Sequence, residues 1–243
     1  MGLLIFKGMK VGIQDGDFTV RFNENGTEDS NLTLSTSFNM LPIWLKIAYE
    51  NIVSSNKASK AVSEKWCEDN EIQKSLLVAE LTPSIQVFVA CGCALDAFYD
   101  QLKEYANISQ NDLEIWKRKK TSRTAQIVEI IRRTYKLDKH FVKGAKVNIK
   151  SIMEYRDKVV HPSHDIQHTR SRPDIPVGVD WRFSAYKYSN ALIAYQRTME
   201  LLILLYERKS DNDKVNQNME TIFESLIELG LVSKMPNKPI KQD

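Results

Sequence analysis

Thr82-Pro83-Ser84-Ile85-Gln86-Val87-Phe88-Val89-Ala90-Cys91-Gly92-Cys93-Ala94-Leu95-Asp96-Ala97-Phe98-Tyr99-Asp100, wound at 3.6 residues per turn, is apolar on nearly every side. A helix without a polar face belongs at the centre of a bundle. Thr82 before Pro83 reads as an N-cap and a first-turn proline, so the expected helix covers 83–105. Its one charge before Tyr99 is Asp96, with Asp100 one turn on along the same face. A carboxylate on such a helix is costly unless paired or hydrogen-bonded, which makes Asp96 a candidate site residue.

Outward from this helix, helical spacing recurs over 42–54, 57–69, 71–80, 122–137, 147–160, 183–209 and 215–229. Gly230 reads as the C-cap of the last of these, and a polar tail begins at 236. Before residue 40 the period is two. Asp15-Gly16 reads as a hairpin turn between a strand over 3–13 and the alternating Phe18, Val20 and Phe22. A second turn over 23–26 leads to a third strand over 31–38. The expected architecture is mainly α: a four-helix bundle over 81–210 with accessory helices over 41–80, a β-meander over 1–40, and a helix and tail over 211–243.

The 243 residues are 42% hydrophobic and 27% charged, enough apolar material for a core and no signature of disorder. Cys67, Cys91 and Cys93 are an odd number and too few for a disulfide framework, as in a reducing compartment. No basic-then-apolar leader is apparent at Met1, and the uncharged run over 87–95 is far below the roughly 20 residues that span a bilayer. The expectation is a cytoplasmic protein without a membrane partner. Gly-x4-Gly-Lys, Gly-x-Ser-x-Gly, Cys-x2-Cys and Gly-x-Gly-x2-Gly are all absent. Nucleoside-triphosphate hydrolysis, serine-esterase chemistry and dinucleotide redox chemistry therefore lack support.

The net charge of +3 conceals a strong segregation. Between Lys117 and Lys150 twelve basic residues face only Glu129 and Asp138. A solvated helix face ordinarily mixes signs, so the segment asks for an anion, and a phosphate backbone is the commonest one. Lys117, Arg118, Lys119, Lys120, Arg123, Arg132 and Arg133 are the candidate RNA-binding residues, with Trp116 and Tyr135 as aromatics able to stack on bases.

Directly after this segment comes Glu154-Tyr155-Arg156-Asp157-Lys158-Val159-Val160-His161-Pro162. Arg156 and His161 would point about 140° apart on a regular helix. Pro162, however, pushes His161 out of the α region and makes it a helix terminus, from which an extended arginine and an imidazole can converge. A guanidinium matches a phosphate, and an imidazole moves protons near neutral pH. Together they suffice for attack of a ribose 2′-hydroxyl on its own 3′-phosphate, a scheme that requires no metal or other cofactor.

Arg156-Asp157-Lys158-Val159-Val160-His161 resembles the signature of the HEPN (higher eukaryotes and prokaryotes nucleotide-binding) superfamily. Cys93-Ala94-Leu95-Asp96-Ala97-Phe98-Tyr99-Asp100 also looks like that family's early core helix, and the resemblance covers roughly residues 80–210. It implies metal-independent ribonuclease chemistry in a toxin or antiviral defence setting, acting on RNA such as tRNA. It further implies a homodimer with two facing motifs, and an antitoxin or regulatory partner. In that scheme Arg156 stabilises charge, His161 transfers the proton, Asp157 orients them and Asp96 supports the site. A tyrosine that some family members carry two residues after the histidine is Ser163 here.

Two other readings compete. His161, His164, Asp165 and His168 could ligate a metal, although Pro162, Pro173 and Pro176 suggest a loop rather than a rigid helix. Alternatively, the chain is a non-catalytic module that binds RNA or nucleotide, or docks to a protein, through the same basic groove.

Overall fold

The computed structural model describes residues 4–5, 9–22, 25–26, 28–161 and 166–236, and among them it is mainly helical. The chain divides into two units, Met1–Met40 and Leu41–Asp243.

In the first unit, strand β1 (Met9–Gly12) pairs antiparallel with β4 (Ser35–Phe38), and β2 (Phe18–Phe22) with β3 (Glu28–Leu32). This is one hairpin nested inside another and not the expected three-stranded meander. The turn at Asp15-Gly16 does form, with Gly16 at φ +91° and the Asp17 N–H donating to the Gln14 carbonyl at 3.0 Å. The strands flanking it pair elsewhere because Asp17 ties the turn to the far side of the ribbon. Its carboxylate accepts from the Gln14 N–H at 2.8 Å and the Ser35 hydroxyl at 2.7 Å, and its carbonyl accepts from the Thr33 N–H at 2.7 Å.

The second unit is a helical bundle. Helix α1 (Leu41–Lys65) leads into α2 (Asn70–Leu102), on which α1, α4 (Arg123–Thr134), α5 (Lys139–Val160) and α7 (Tyr188–Arg208) pack. The remaining helices are α3 (Gln110–Arg118), the short α6 (Trp181–Ala185) and α8 (Asp213–Glu228). Phe98, Leu95, Ile127, Ile149, Met153 and Leu202 are all buried in one core around α2. By length and composition α2 carries a window apolar enough to cross a membrane; here 44% of that window is buried, against the neighbouring helices.

Several expected boundaries move. The segments over 42–54 and 57–69 join as α1. Pro83 does not start a helix, because α2 begins at Asn70 behind the N-cap Asp69 and runs through it. The Thr82 hydroxyl turns back to the Val78 carbonyl at 2.9 Å instead of capping. One lost backbone bond is outweighed by burial on both sides of the proline, at Leu77, Glu80, Ser84 and Val87. Ser84 also bonds Ser55 of α1 at 2.6 Å. Helix α5 starts eight residues before 147, since Asp138 accepts from the His140 and Phe141 N–H groups at 2.9 Å each. The segment over 183–209 breaks at Tyr186 and Lys187, and α3, which has no fully buried residue, lies outside every expected helix. Helix α4 begins behind Ser122, close to the expected 122, and α8 begins behind Asn212, two residues before the expected 215, while Gly230 closes α8 at φ +72°.

A buried ion pair fixes the return from α5 to α7. Arg172 and Glu80 lie 2.8 Å apart with 1% of each side chain exposed. Glu80 also accepts the Tyr188 N–H at 2.8 Å, capping α7, whose N-cap Lys187 makes no side-chain bond. Arg172 further donates to Asp174 and to the Phe183 carbonyl. The segment after the Arg156–His161 motif is thereby pinned to α2.

Candidate functional site

Asp96, on α2, lies between two arginines from two other helices. Its Oδ1 accepts from Arg123 Nε at 2.7 Å and its Oδ2 from Arg156 Nη1 at 2.6 Å. Arg156 is held from a second side by Asp157, whose Oδ1 accepts from Nε at 2.9 Å and lies 2.8 Å from Nη2. The Arg156 side chain is 17% exposed, and its stem lies on Gly92 of α2. Arg123 stacks on Tyr99, with its guanidinium carbon 3.6 Å from the ring centroid. Cys93 borders the cluster; burial raises its thiol pKa, opposed by the charge of Arg156 and aided by that of Asp96.

His161 is the C-cap of α5. It leaves the helix at φ −123°, ψ 70°, while its N–H still donates to the Asp157 carbonyl at 2.8 Å. Asp157 therefore touches both halves of the motif, the Arg156 guanidinium through its carboxylate and the His161 backbone through its carbonyl. The imidazole is exposed and makes no hydrogen bond or ion pair among the described residues. Pro162, Ser163, His164 and Asp165 lie outside those residues, and the suggested His161–His168 metal set falls partly with them.

Asp96, Arg156 and Asp157 thus come together as candidate site residues, and Arg123 joins them as the partner of Asp96. The rest of the basic segment divides in two. Lys117, Arg118, Lys119 and Lys120 are exposed at the end of α3 and make no ion pair among the described residues. Arg132 and Arg133 are already paired: Glu129 accepts from both, and Arg133 also reaches Asp112 at 2.9 Å. Lys136 meets Asp211. Part of the positive excess is therefore neutralised, and two of the acids, Asp112 and Asp211, come from outside the segment, which the linear count could not show. The Arg133 contact holds the Asp112 carboxyl well below its usual range, helped by the Ser109 N–H and hydroxyl.

The two aromatics expected to stack on bases are poorly placed for it. Tyr135 is 4% exposed and belongs to the core, where burial raises its hydroxyl pKa, and Trp116 packs against that core. An aromatic group that sequence reasoning missed lies beside the motif: Phe88, Tyr155, Tyr186 and Trp181, with ring centroids 5.3–5.9 Å apart. Lys158 reaches over both Tyr155 and Trp181, at 5.4 and 5.7 Å. Tyr155 and Lys158 flank Arg156 in sequence, a signal that was available. Trp181 and Phe88 are distant and were not visible. Comparison with protein-family models, with curated proteins and with solved structures returned no match to this chain.

Proposed function

We propose that the chain is a HEPN-like, metal-independent endoribonuclease of the cytoplasm, acting in a defence or toxin setting under an antitoxin or regulatory partner. The observation that carries this reading is the Asp96–Arg156 contact. An acid from the core helix and the neighbouring Asp157 fix the guanidinium that the chemistry needs. Of its five N–H groups, three point at these carboxylates, which leaves one on each terminal nitrogen for a phosphate oxygen.

In the proposed reaction the ribose 2′-oxygen bonds to phosphorus as its proton passes to an imidazole. The bond to the 5′-oxygen breaks, and that oxygen takes up a proton from a second imidazole. The products are a 2′,3′-cyclic phosphate and a 5′-hydroxyl. One motif supplies one histidine, so the two proton transfers call for a homodimer with His161 from each protomer. The nucleophile is the ribose hydroxyl, so the scheme needs no metal-bound water.

The test is incubation of the purified chain with tRNA or total RNA in EDTA, alongside His161→Ala. Cleavage by the wild type with cyclic phosphate ends, absent from the variant, is the expected result. Intact RNA in both tubes overturns it. A second reading, a non-catalytic module binding RNA or nucleotide or docking to a protein, draws on the pairing of Arg156 with both Asp96 and Asp157, which suits a structural brace. RNA binding without cleavage selects that reading.

A further inference from the structure

The hairpin of β2 and β3 sorts its residues onto two faces, because side chains alternate along a strand. Phe18, Val20 and Phe22 share one face with Leu32 and Ser30, which stand opposite Phe18 and Val20 in the register. Thr19, Arg21 and Asn31 fall on the other face. The four apolar residues are between 39% and 69% exposed, and among the described residues before Leu41 none is buried. A lone two-stranded hairpin is marginal in water, so this face calls for a cover.

Charge and shape say what fits it. Glu28, opposite Phe22 at the tip, is the one charged residue among the six alternate positions of the face. Over residues 1–40 three basic residues stand against five acidic ones, which disfavours a nucleic acid or an anionic lipid surface. The two strands differ in bulk: β2 presents two phenylalanines and a valine, while β3 presents a leucine and a serine. About a two-fold axis along the ribbon, β2 of one copy lies over β3 of another, at the spacing of about 10 Å between stacked sheets. Val20 of each copy then faces Ser30 of the other, and Phe18 faces Leu32, so bulk meets space. At about 200 Å² for a whole phenylalanine, Phe18 and Phe22 expose roughly 250 Å² between them. Val20 and Leu32 bring the face to roughly 400 Å². Two such faces, with the backbone between the side chains, reach the roughly 1,000 Å² that a specific interface needs.

We infer that the Phe18–Phe22 face docks on the same face of a second copy of this chain, giving a two-layer, four-stranded β-contact. An isologous contact of this kind needs one self-complementary patch, and the bulky and the small strand supply it. These residues lie outside the 80–210 stretch that the family resemblance covers and outside the Asp96–Arg156 cluster. The contact is measured without RNA, so the inference stands or falls apart from the cleavage reading.

The test is cross-linking of the full chain with a short bismaleimide at micromolar concentration, in a Cys67→Ser background that removes the exposed native thiol. Ser30→Cys places a thiol on the docking face, and Asn31→Cys places one on the opposite face. Ser30→Cys is expected to give a covalent pair of chains, and Asn31→Cys only the background level. Adding Phe18→Glu and Phe22→Glu to Ser30→Cys should lower the cross-linked fraction at least about tenfold, since both phenylalanines anchor the contact. These two side chains are exposed, so an unchanged circular dichroism spectrum is expected alongside. Two results overturn the inference. One is Ser30→Cys cross-linking no more than Asn31→Cys, which leaves the face to a partner of different sequence. The other is cross-linking of Ser30→Cys that the two glutamates do not reduce, which places the contact elsewhere.

Discussion

Gly92 and Arg156 touch so closely that a Cβ at position 92 would stand 2.7 Å from Arg156 Cδ, 3.1 Å from Cγ and 3.3 Å from Cβ. The contact involves the base of the arginine side chain as well as its middle, so rotation about the outer bonds does not relieve it. Gly92→Ala gains about 1 kcal/mol in helix propensity but forces apart two packed helices, at about 1–3 kcal/mol. The expected result is a net loss of about 1 kcal/mol in urea denaturation with an unchanged m value.

Arg156→Lys tests the geometry of the motif while keeping its charge. A lysine cannot reach Asp96 and Asp157 with a planar fork, so the guanidinium's fixed position is lost. RNA cleavage in EDTA should fall about as far as in His161→Ala, where removing a proton-transfer group is worth about 10²–10⁴-fold. Near-wild-type cleavage by Arg156→Lys shows that the arginine supplies charge alone.

Glu80→Ala should be the most damaging single substitution of a charged residue. It leaves Arg172 buried without its partner, a loss of about 3–5 kcal/mol, and also uncaps the Tyr188 N–H. Chemical denaturation measures this, and the double variant Glu80→Leu with Arg172→Met should recover much of the loss, because an apolar pair carries no stranded charge.

Acid should weaken the bundle in a defined window. Asp112, Glu129 and Asp174 are all held below their ordinary pKa in the fold, each chiefly by an arginine: Arg133, Arg132 and Arg172 respectively. The unfolded chain then binds more protons than the native one as pH drops, so this contribution is present above the unfolded carboxyl pKa and lost below it. Thermal denaturation between about pH 6 and pH 2.5 should show a falling Tm. Asp112→Asn should start from a lower Tm near neutrality and fall less steeply.

The core of the bundle was legible because burial leaves a periodic trace. Helices α4 and α8, with apolar stripes, lie close to their expected spans. Pro83 misled because its local preference for a first turn was overridden by packing on either side, which only the folded neighbours reveal. Helix α3 buries no residue fully; a capping box, Arg133 and the partly buried Trp116 hold it, so it contributes little to the core pattern that reveals the other helices. Within the candidate site, Asp96, Arg156 and Asp157 were each named from the chain. That Arg123 answers Asp96 across 27 positions, and Arg172 answers Glu80 across 92, is long-range information that no local pattern contains.

Asp96 gives one oxygen to Arg123 and the other to Arg156, which makes three helices partners in a single electrostatic contact. Residues sharing a partner do not lose free energy independently. Removing either arginine frees the carboxylate to move wholly to the other, whereas removing both leaves it bare. A thermodynamic cycle on Arg123 and Arg156 should therefore show a double variant worse than the two single losses together, and neither arginine has an energetic worth that can be stated without the other.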